Sequence, residues 1–236
     1  FLPSYFGLCM SKEIESLQNS LSTPKKPLLA IIGGSKILTK IDILKNLNKK
    51  VDTMIIGGAM ANTFLLAKGI SIGASLFESQ CIDIAQDIIN DAKEKNVNLI
   101  IPVDGKVAKS LSMNAVAKNK NIEDIETDDM ILDLGAESIK IILGELKKAE
   151  TVIWNGPLGA IEYKPFDQAT ITVAKELARN CKQKNIKVVA GGGDTIYGIN
   201  LSKCVKDFTH VSTAGGAFLE WLEGKTLPGV SAILDK

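Results

Sequence analysis

The residues best suited to chemistry are glycines, lysines and an aspartate that follow short apolar segments. Gly33-Gly34-Ser35-Lys36 and Gly57-Gly58-Ala59 follow the first two segments, and Gly191-Gly192-Gly193-Asp194-Thr195 follows a later one. Asn155-Gly156-Pro157 and Thr213-Ala214-Gly215-Gly216 hold similar positions. Glycine lets a backbone turn sharply and lets a ligand approach closely. One such turn is common in any α/β protein, but five in one chain predict a site for a phosphorylated ligand.

Lys36, Lys40 and Asp194 indicate which charges this site would carry. The two lysines are four residues apart at a predicted helix start, so both point along one face toward the first glycine turn. A solvated lysine face is the alternative for either one alone. Asp194 follows three glycines at another predicted helix start. There it serves either as an N-cap or as a ligand of Mg²⁺, which takes one or two protein carboxylates beside phosphate oxygens and water.

Short apolar segments alternate with amphipathic stretches, and this order predicts the elements that position the turns. Six segments are typical of strands covered on both faces: Leu28–Ile32, Thr53–Ile56, Leu99–Val103, Thr151–Trp154, Val188–Ala190 and His210–Ser212. Strands separated by helices form βαβ units, so we expect a parallel sheet with helices on both faces. The glycine turns then share the carboxyl edge, where open α/β folds bind ligands and helix N-termini favour anions.

Two regions depart from this alternation. Residues 105–129 consist of short polar pieces, and we predict an inserted hairpin and loop there, before a strand at Met130–Leu134. Apolar residues between Met10 and Leu21 repeat at helical spacing, which predicts a helix that Lys25-Lys26-Pro27 closes. We therefore predict one α/β domain preceded by a helix.

Composition excludes several classes of protein. Of the 236 residues 45% are apolar and 23% are charged, which is typical of a folded chain and not of a disordered one. The net charge of +1 gives no global field that would attract nucleic acid or an anionic membrane, so neither partner is expected. The apolar runs are far shorter than the roughly 20 residues of a membrane span. No signal peptide opens the chain, so we expect a cytoplasmic protein.

Other familiar sites are disfavoured. The four cysteines form no C-x-x-C pair, so we expect reduced thiols. His210 is the only histidine, which argues against zinc or Ser-His-Asp chemistry, and we interpret it as a structural residue. No G-x-G-x-x-G follows a predicted strand, which argues against a dehydrogenase-like Rossmann protein. Gly224-Lys225-Thr226 is not a P-loop, because Leu219 holds the first glycine position.

The turn sequences and their order resemble the phosphoglycerate kinase family, specifically its C-terminal, nucleotide-binding half. Five stretches carry the resemblance: Lys26–Lys40, Gly57–Gly69, Trp154–Glu162, Gly191–Thr195 and Ser212–Gly229. It implies a three-layer, Rossmann-like α/β domain with a six-stranded parallel sheet at residues 26–236, preceded by an interdomain hinge helix region at residues 1–25. It also implies that the N-terminal, phosphoglycerate-binding domain is absent from this chain.

The resemblance further implies binding of ATP or ADP with Mg²⁺. In the complete enzyme, the implied reaction is phosphoryl transfer between 1,3-bisphosphoglycerate and ADP in glycolysis. The implied catalytic residues are Lys36, Lys40, Gly215 and Gly216, and Asp194 is the implied Mg²⁺ ligand. The implied nucleotide-binding residues are Gly33, Gly34, Lys36, Lys40, Gly57, Gly58, Asn155, Pro157, Glu162, Gly192, Gly193, Asp194 and Thr195.

Each part of that set has an implied task. Lys36 and Lys40 would hold the phosphates, and the turn at Thr213–Gly216 would offer helix N-terminal amides to the transferring phosphoryl group. Glu162 binds the ribose hydroxyls, while Gly57, Gly58 and the strand ending at Leu134 wall the adenine slot. Phosphoryl transfer needs in-line positioning and charge neutralisation, and its acceptor oxygen is already ionised. The lack of a catalytic histidine is therefore no objection.

Two departures from the family qualify these implications. Ala214 stands where the family usually has glycine, which would cost on the order of 1 kcal/mol if the position required a positive φ. Arg179 is the only arginine, so the family's arginine patch for phosphoglycerate is missing. We expect nucleotide binding without turnover from this chain alone, and a monomeric complete enzyme. A stand-alone adenine-nucleotide-binding module without catalysis is the alternative.

Overall fold

A computed structural model describes residues 5–234 of the chain. Nine strands follow one another in this order: β1 Leu28–Ile32, β2 Thr53–Ile56, β3 Asn98–Ile100, β4 Asp104–Ala108, β5 Lys118–Asn121, β6 Met130–Leu134, β7 Thr151–Asn155, β8 Lys187–Gly191 and β9 His210–Ser212. Six of them form a parallel sheet in the order β3-β2-β1-β7-β8-β9. The remaining three form an antiparallel sheet in the order β5-β4-β6.

Helices cover both faces of the parallel sheet. They are α1 Leu8–Leu21, α2 Ile41–Leu47, α3 Met60–Ala67, α4 Ile82–Glu94, α5 Ala136–Leu146, α6 Gln168–Lys184, α7 Gly193–Ser202, α8 Gly216–Leu222 and α9 Pro228–Leu234. β1 shows why a continuous apolar run suits this position. Leu28, Ala30 and Ile32 pack into the core shared with α1 to α4 and α8, whereas Leu29 and Ile31 pack into the core shared with α5 to α7.

The predicted three-layer α/β fold with a six-stranded parallel sheet is confirmed. β1, β2 and β9 have the predicted bounds, but the strand predicted at Leu99–Val103 lies at Asn98–Ile100 instead. Pro102 explains the earlier end, because proline has no N–H to donate to a strand ladder. The chain leaves the edge of the parallel sheet there and enters the small sheet at Asp104.

The inserted region is a small sheet rather than one hairpin and a loop. β4 lies at its centre, where it pairs with both β5 and β6. The predicted strand at Met130–Leu134 is β6, and it pairs with β4 from Gly105↔Leu134 to Ala108↔Met130 with a register shift between Lys106 and Val107. The strand thus belongs to the small sheet, which lies beside the carboxyl edge of the large one.

The helix predicted before β1 is α1, and it packs against the domain. Leu17 and Leu21 are buried in the core that lies on its side of the sheet. His210 on β9 places its Nε2 3.0 Å from Glu13 Oε2 on α1, a structural contact of the kind expected for this residue. Ser212 donates a hydrogen bond to the same carboxylate.

Two further expectations concern the chain as a whole. The four cysteines are free, as predicted. Among residues 5–234, none of the helices combines the length and the hydropathy needed to cross a membrane.

Candidate functional site

The glycine turns after β1, β2 and β7 pack backbone against backbone at the carboxyl edge of the large sheet. The amide of Gly33 donates to Asn155 O at 2.9 Å, and that of Gly34 donates to Pro157 O at 2.9 Å. A Cβ at Gly33 would lie 2.0 Å from Pro157 O. A side chain there would force the two turns apart, so glycine is required. We call the three turns, residues 33–34, 57–58 and 156–157, the glycine edge.

The turn after β2 completes this edge. Gly58 donates to Leu158 O at 3.0 Å and has a φ of 68°, which favours glycine. A Cβ at Gly58 would lie 2.5 Å from Gly34 O, and one at Gly57 would lie 2.4 Å from the Leu158 side chain. The edge therefore presents main chain, which leaves room for a ligand to approach.

Lys40 is anchored at the glycine edge. Its Nζ donates to Gly33 O and to Asn155 Oδ1, each at 2.6 Å. Burial lowers the pKa of Lys40 from 10.5 to about 8, and the nearby charge of Asp194 opposes that shift. Lys40 thus carries a charge that an anionic ligand would stabilise.

Asn155 and Thr195 hold the turns after β7 and β8. Asn155 Nδ2 donates to Gly191 O at 2.8 Å. The Thr195 hydroxyl donates to the same carbonyl at 2.8 Å and accepts the amide of Gly156 at 2.6 Å. Thr195 is fully buried and its hydroxyl is occupied within the protein. Its side chain positions the turn, and a phosphate contact at this residue would fall to the main chain.

Asp194 is the second residue of α7. The N-cap is Gly192, with φ 98° and ψ 139°, and no side chain caps this helix. The N-cap alternative for Asp194 is therefore wrong. Within residues 5–234 the exposed Asp194 carboxylate makes no hydrogen bond to another side chain or to the backbone. A free carboxylate at a helix start beside a phosphate site fits the preference of Mg²⁺ for oxygen ligands.

A cleft of about 420 Å³ opens between the glycine edge and the small sheet. It is in the size range of small-molecule sites. Five of the predicted nucleotide-binding residues line it: Gly34, Gly58, Pro157, Glu162 and Asp194. Four separate turns and loops contribute these five residues, so the fold brings together residues that are far apart in the sequence.

The opposite side of the cleft is apolar. Met130, Ile131 and Leu132 of β6 line it together with Leu76 and Leu111. We call these five residues the apolar wall. The expectation that the strand ending at Leu134 walls the site agrees with the position of β6. Leu76 and Leu111 were not predicted, because no motif in the sequence marks them, and in the structure their side chains are 59% and 41% exposed.

The remaining predicted residues lie outside the lining of the cleft. Lys36 is exposed and precedes the helical turn Leu38–Lys40, so the prediction that both lysines lie at one helix start is wrong for Lys36. Gly193 begins α7. Gly215 is the N-cap of α8 and Gly216 is its first residue, and both have open space where a Cβ would be. The backbone strain that a positive φ would cause at Ala214 is absent, because the positive φ of 58° belongs to Gly215.

Comparisons with known proteins bear on this arrangement. A family model described as phosphoglycerate kinase matches residues 1–225. The chain is 49% identical over 232 residues to the phosphoglycerate kinase of Caulobacter vibrioides and 50% identical over 232 residues to that of Methylorubrum extorquens. These alignments cover 98% of this chain but 59% and 58% of those proteins.

Solved structures of phosphoglycerate kinases are likewise similar to this chain over part of their length. The structure of phosphoglycerate kinase from Coxiella burnetii is similar with a TM-score of 0.91 and 43% identity, over 95% of this chain and 57% of that one. The enzyme from Pyrococcus horikoshii has a TM-score of 0.81 and 26% identity, over 98% of this chain and 57% of that one. The chain therefore spans less than two thirds of the length of these proteins.

Proposed function

Because the chain belongs to the phosphoglycerate kinase family, we propose that it supplies the nucleotide-binding part of such an enzyme. The observation that carries the proposal is the cleft, where main chain of the glycine edge faces the apolar wall. Glu162 and Asp194 are the two carboxylates in its lining, and Lys40 lies behind it. A ligand with an apolar ring at one end and phosphates at the other fits this distribution.

In the proposed complex, ADP or ATP lies along the cleft. The adenine packs between Gly58 and the apolar wall, and Glu162 accepts hydrogen bonds from the ribose hydroxyls. The phosphates point toward Lys40, Lys36 and the start of α7. A ten-residue helix favours an anion at its N-terminus, where the first amides have no helical partner.

Asp194 is the residue proposed to hold Mg²⁺, which supplies charge neutralisation for the nucleotide phosphates when bound. In the complete enzyme, the proposed reaction is phosphoryl transfer between 1,3-bisphosphoglycerate and ADP in glycolysis, in the cytoplasm. Lys36 would follow the transferred group, and the amides of Gly215 and Gly216 would stabilise its charge. These groups would position the phosphates and neutralise their negative charge, which is most of what phosphoryl transfer requires of a protein.

We propose no turnover by this chain alone. It has one arginine, Arg179, which forms a surface ion pair with Glu176 on α6, so no arginine cluster is available to bind the acid substrate. The second candidate, a nucleotide-binding module without catalysis, uses the same residues. Adding a separately produced N-terminal domain of a relative distinguishes the two, because restored transfer supports the kinase and continued inactivity supports the module.

Calorimetric titration with ADP, with and without Mg²⁺, tests the proposal. We expect Asp194→Ala to weaken binding of MgADP about tenfold or more, since even outer-shell partners of metal ligands change affinity by that much. Binding of ADP without Mg²⁺ should change little. Asp83→Ala is the matched control, because Asp83 is likewise the exposed second residue of a helix, α4. A folded wild-type chain that binds no ADP would contradict the proposal.

A further inference from the structure

The buried carboxylate of Asp133 joins β6 to the start of α6. Asp133 is 2% exposed. Its Oδ2 accepts the amide of Ala169 at 3.0 Å, and its Oδ1 accepts the amide of Leu134 at 2.9 Å. Ala169 is the second residue of α6, and Asp167 at the N-cap position provides no side-chain cap. Asp133 therefore caps α6 from another element of the fold.

The same carboxylate supports the loop between β7 and α6, which forms one side of the cleft. A Cβ at Gly159 would lie 2.2 Å from Asp133 Oδ1, so the loop backbone rests directly on the carboxylate. The neighbouring Ala160 donates its amide to Leu132 O at 2.8 Å. Gly159, Ala160 and Leu132 all line the cleft, whereas Asp133 lies behind it.

We propose that Asp133 is a positioning residue of the cleft, whose carboxylate fixes the β7–α6 loop, and with it Pro157 and Glu162, against the apolar wall. This inference rests on the proposed function. It assigns a task to a buried charged group that the proposed binding mode does not otherwise use. Binding of the nucleoside part of the nucleotide should depend on Asp133, because the β7–α6 loop borders the part of the cleft that is proposed to hold the nucleoside.

The pKa of Asp133 determines the pH at which this proposal should be tested. Burial raises the pKa of Asp133 to about 7, and the nearby carboxylate of Asp167 adds to the shift. The amides of Ala169 and Leu134 and the charge of Lys106 on β4 oppose it. At pH 8 the carboxylate is mostly ionised, so both oxygens accept hydrogen bonds.

A second aspartate provides a matched control. Asp104 on β4 is also buried, and its two oxygens accept the amides of Glu137 at 2.9 Å and Ser138 at 2.7 Å, at the start of α5. A Cβ at Gly135 would lie 2.2 Å from that carboxylate. Each aspartate thus accepts two amides, of which two belong to α5 for Asp104 and one to α6 for Asp133, but no residue of α5 lines the cleft.

The experiment compares adenosine binding by the wild-type chain, Asp133→Asn and Asp104→Asn at pH 8. An asparagine presents one NH₂ group where an oxygen accepted an amide, so each variant loses one of its two hydrogen bonds from backbone amides. We expect both variants to be less stable, but only Asp133→Asn to bind adenosine more weakly, by about tenfold. Equal adenosine affinities for the two variants would overturn the inference.

A second measurement uses the unmodified protein, in case Asp133→Asn does not fold. Coupling between two events is reciprocal, so adenosine must in turn strengthen the bond between Asp133 and Ala169. We expect adenosine to slow hydrogen exchange at the Ala169 amide and not at the amides of Glu137 and Ser138. Binding of adenosine without extra protection of Ala169 would overturn the inference, whereas no adenosine binding at all would contradict the proposed function itself.

Discussion

The glycine edge and the apolar wall are built by different means, although they face each other across one cleft. The glycine edge consists of main chain, with Gly33 hydrogen-bonded to Asn155 at the end of β7 and Gly34 to Pro157 in the turn that follows. The apolar wall consists of side chains from β6 and from two loops that are 35 residues apart, at Leu76 and Leu111. The edge depends on the absence of side chains, and the wall depends on their presence. Substitutions should therefore act on the two regions in opposite ways.

The largest effect is expected where a side chain is added to the glycine edge. In Gly33→Ala the new Cβ would meet backbone atoms of Pro157 at 2.0 and 2.7 Å, which no change of rotamer relieves. We expect a loss of about 3 kcal/mol in the free energy of unfolding, together with loss of ADP binding. Urea unfolding and calorimetry measure the two effects.

Gly144→Ala is the control for that change. Gly144 lies within α5, and nothing lies within 4 Å of an added Cβ. Alanine favours a helix more than glycine does, so this variant should gain roughly 0.5–1 kcal/mol. If Gly33→Ala were as stable as the wild type and bound ADP, the close packing of the glycine edge would have no functional importance.

A smaller effect is expected when a charge is removed from the glycine edge. Lys40→Met removes the anchored ammonium, and we expect binding of ADP to weaken about ten- to hundredfold, while binding of adenosine stays the same. Lys36 is exposed, and within the described residues its carbonyl accepts a hydrogen bond from Thr39 but its ammonium group makes none, so Lys36→Met should weaken ADP binding about fivefold or less. Equal losses for ADP and adenosine in Lys40→Met would refute the division of the cleft into two regions.

The apolar wall should respond in the reverse manner. Leu111→Ser removes part of the apolar surface proposed to contact the adenine. We therefore expect binding of adenosine and of ADP to weaken equally, by about fivefold. Met113→Ser is the control, because Met113 lies in the same loop, is 59% exposed and does not line the cleft. A change in Met113→Ser as large as in Leu111→Ser would indicate that the loop acts as a whole and not through Leu111.

The smallest expected effect is the uptake of protons by the protein when ADP binds. With a pKa of about 8, about half of the Lys40 side chains are neutral at pH 8. A bound polyphosphate favours the charged form and raises that pKa, so ADP binding at pH 8 should take up about half a proton at most. At pH 6.5 Lys40 is already charged and contributes no uptake. Calorimetry in buffers of different ionisation enthalpy detects the difference, and Lys40→Met should abolish it.

The same contrast explains how much the sequence could predict. The glycine edge follows local rules, because a glycine after a buried strand is visible in the sequence, and the turns that contain Gly34, Gly58 and Pro157 were predicted on that basis. The family resemblance then implied these three residues as nucleotide-binding, and they line the cleft. The parallel sheet was predicted in the same way, from continuous apolar runs and the helices between them. Even the N-terminal helix followed from its apolar spacing.

What could not be predicted depends on contacts between distant segments. The pairing of β4 with β6 brings Leu111 beside β6, and no local pattern in residues 105–129 indicates that pairing. In the sequence, Asp133 is one polar residue within an apolar strand. Its proposed positioning role is apparent only in the folded structure, where Ala169 and Gly159 lie against its carboxylate. Asp194 had two possible tasks, and the φ of Gly192 decides against the N-cap.

The most direct test of the central claim is to record amide chemical shifts of the chain with adenosine and then with MgADP. The account predicts that adenosine perturbs amides beside the apolar wall, such as those of Ile131 and Ala160. MgADP should perturb these and, in addition, the amides of Gly34 and Gly193 at the phosphate side. If adenosine and MgADP perturbed the same amides, or if neither perturbed the wall, the cleft would not bind a nucleotide in the orientation proposed.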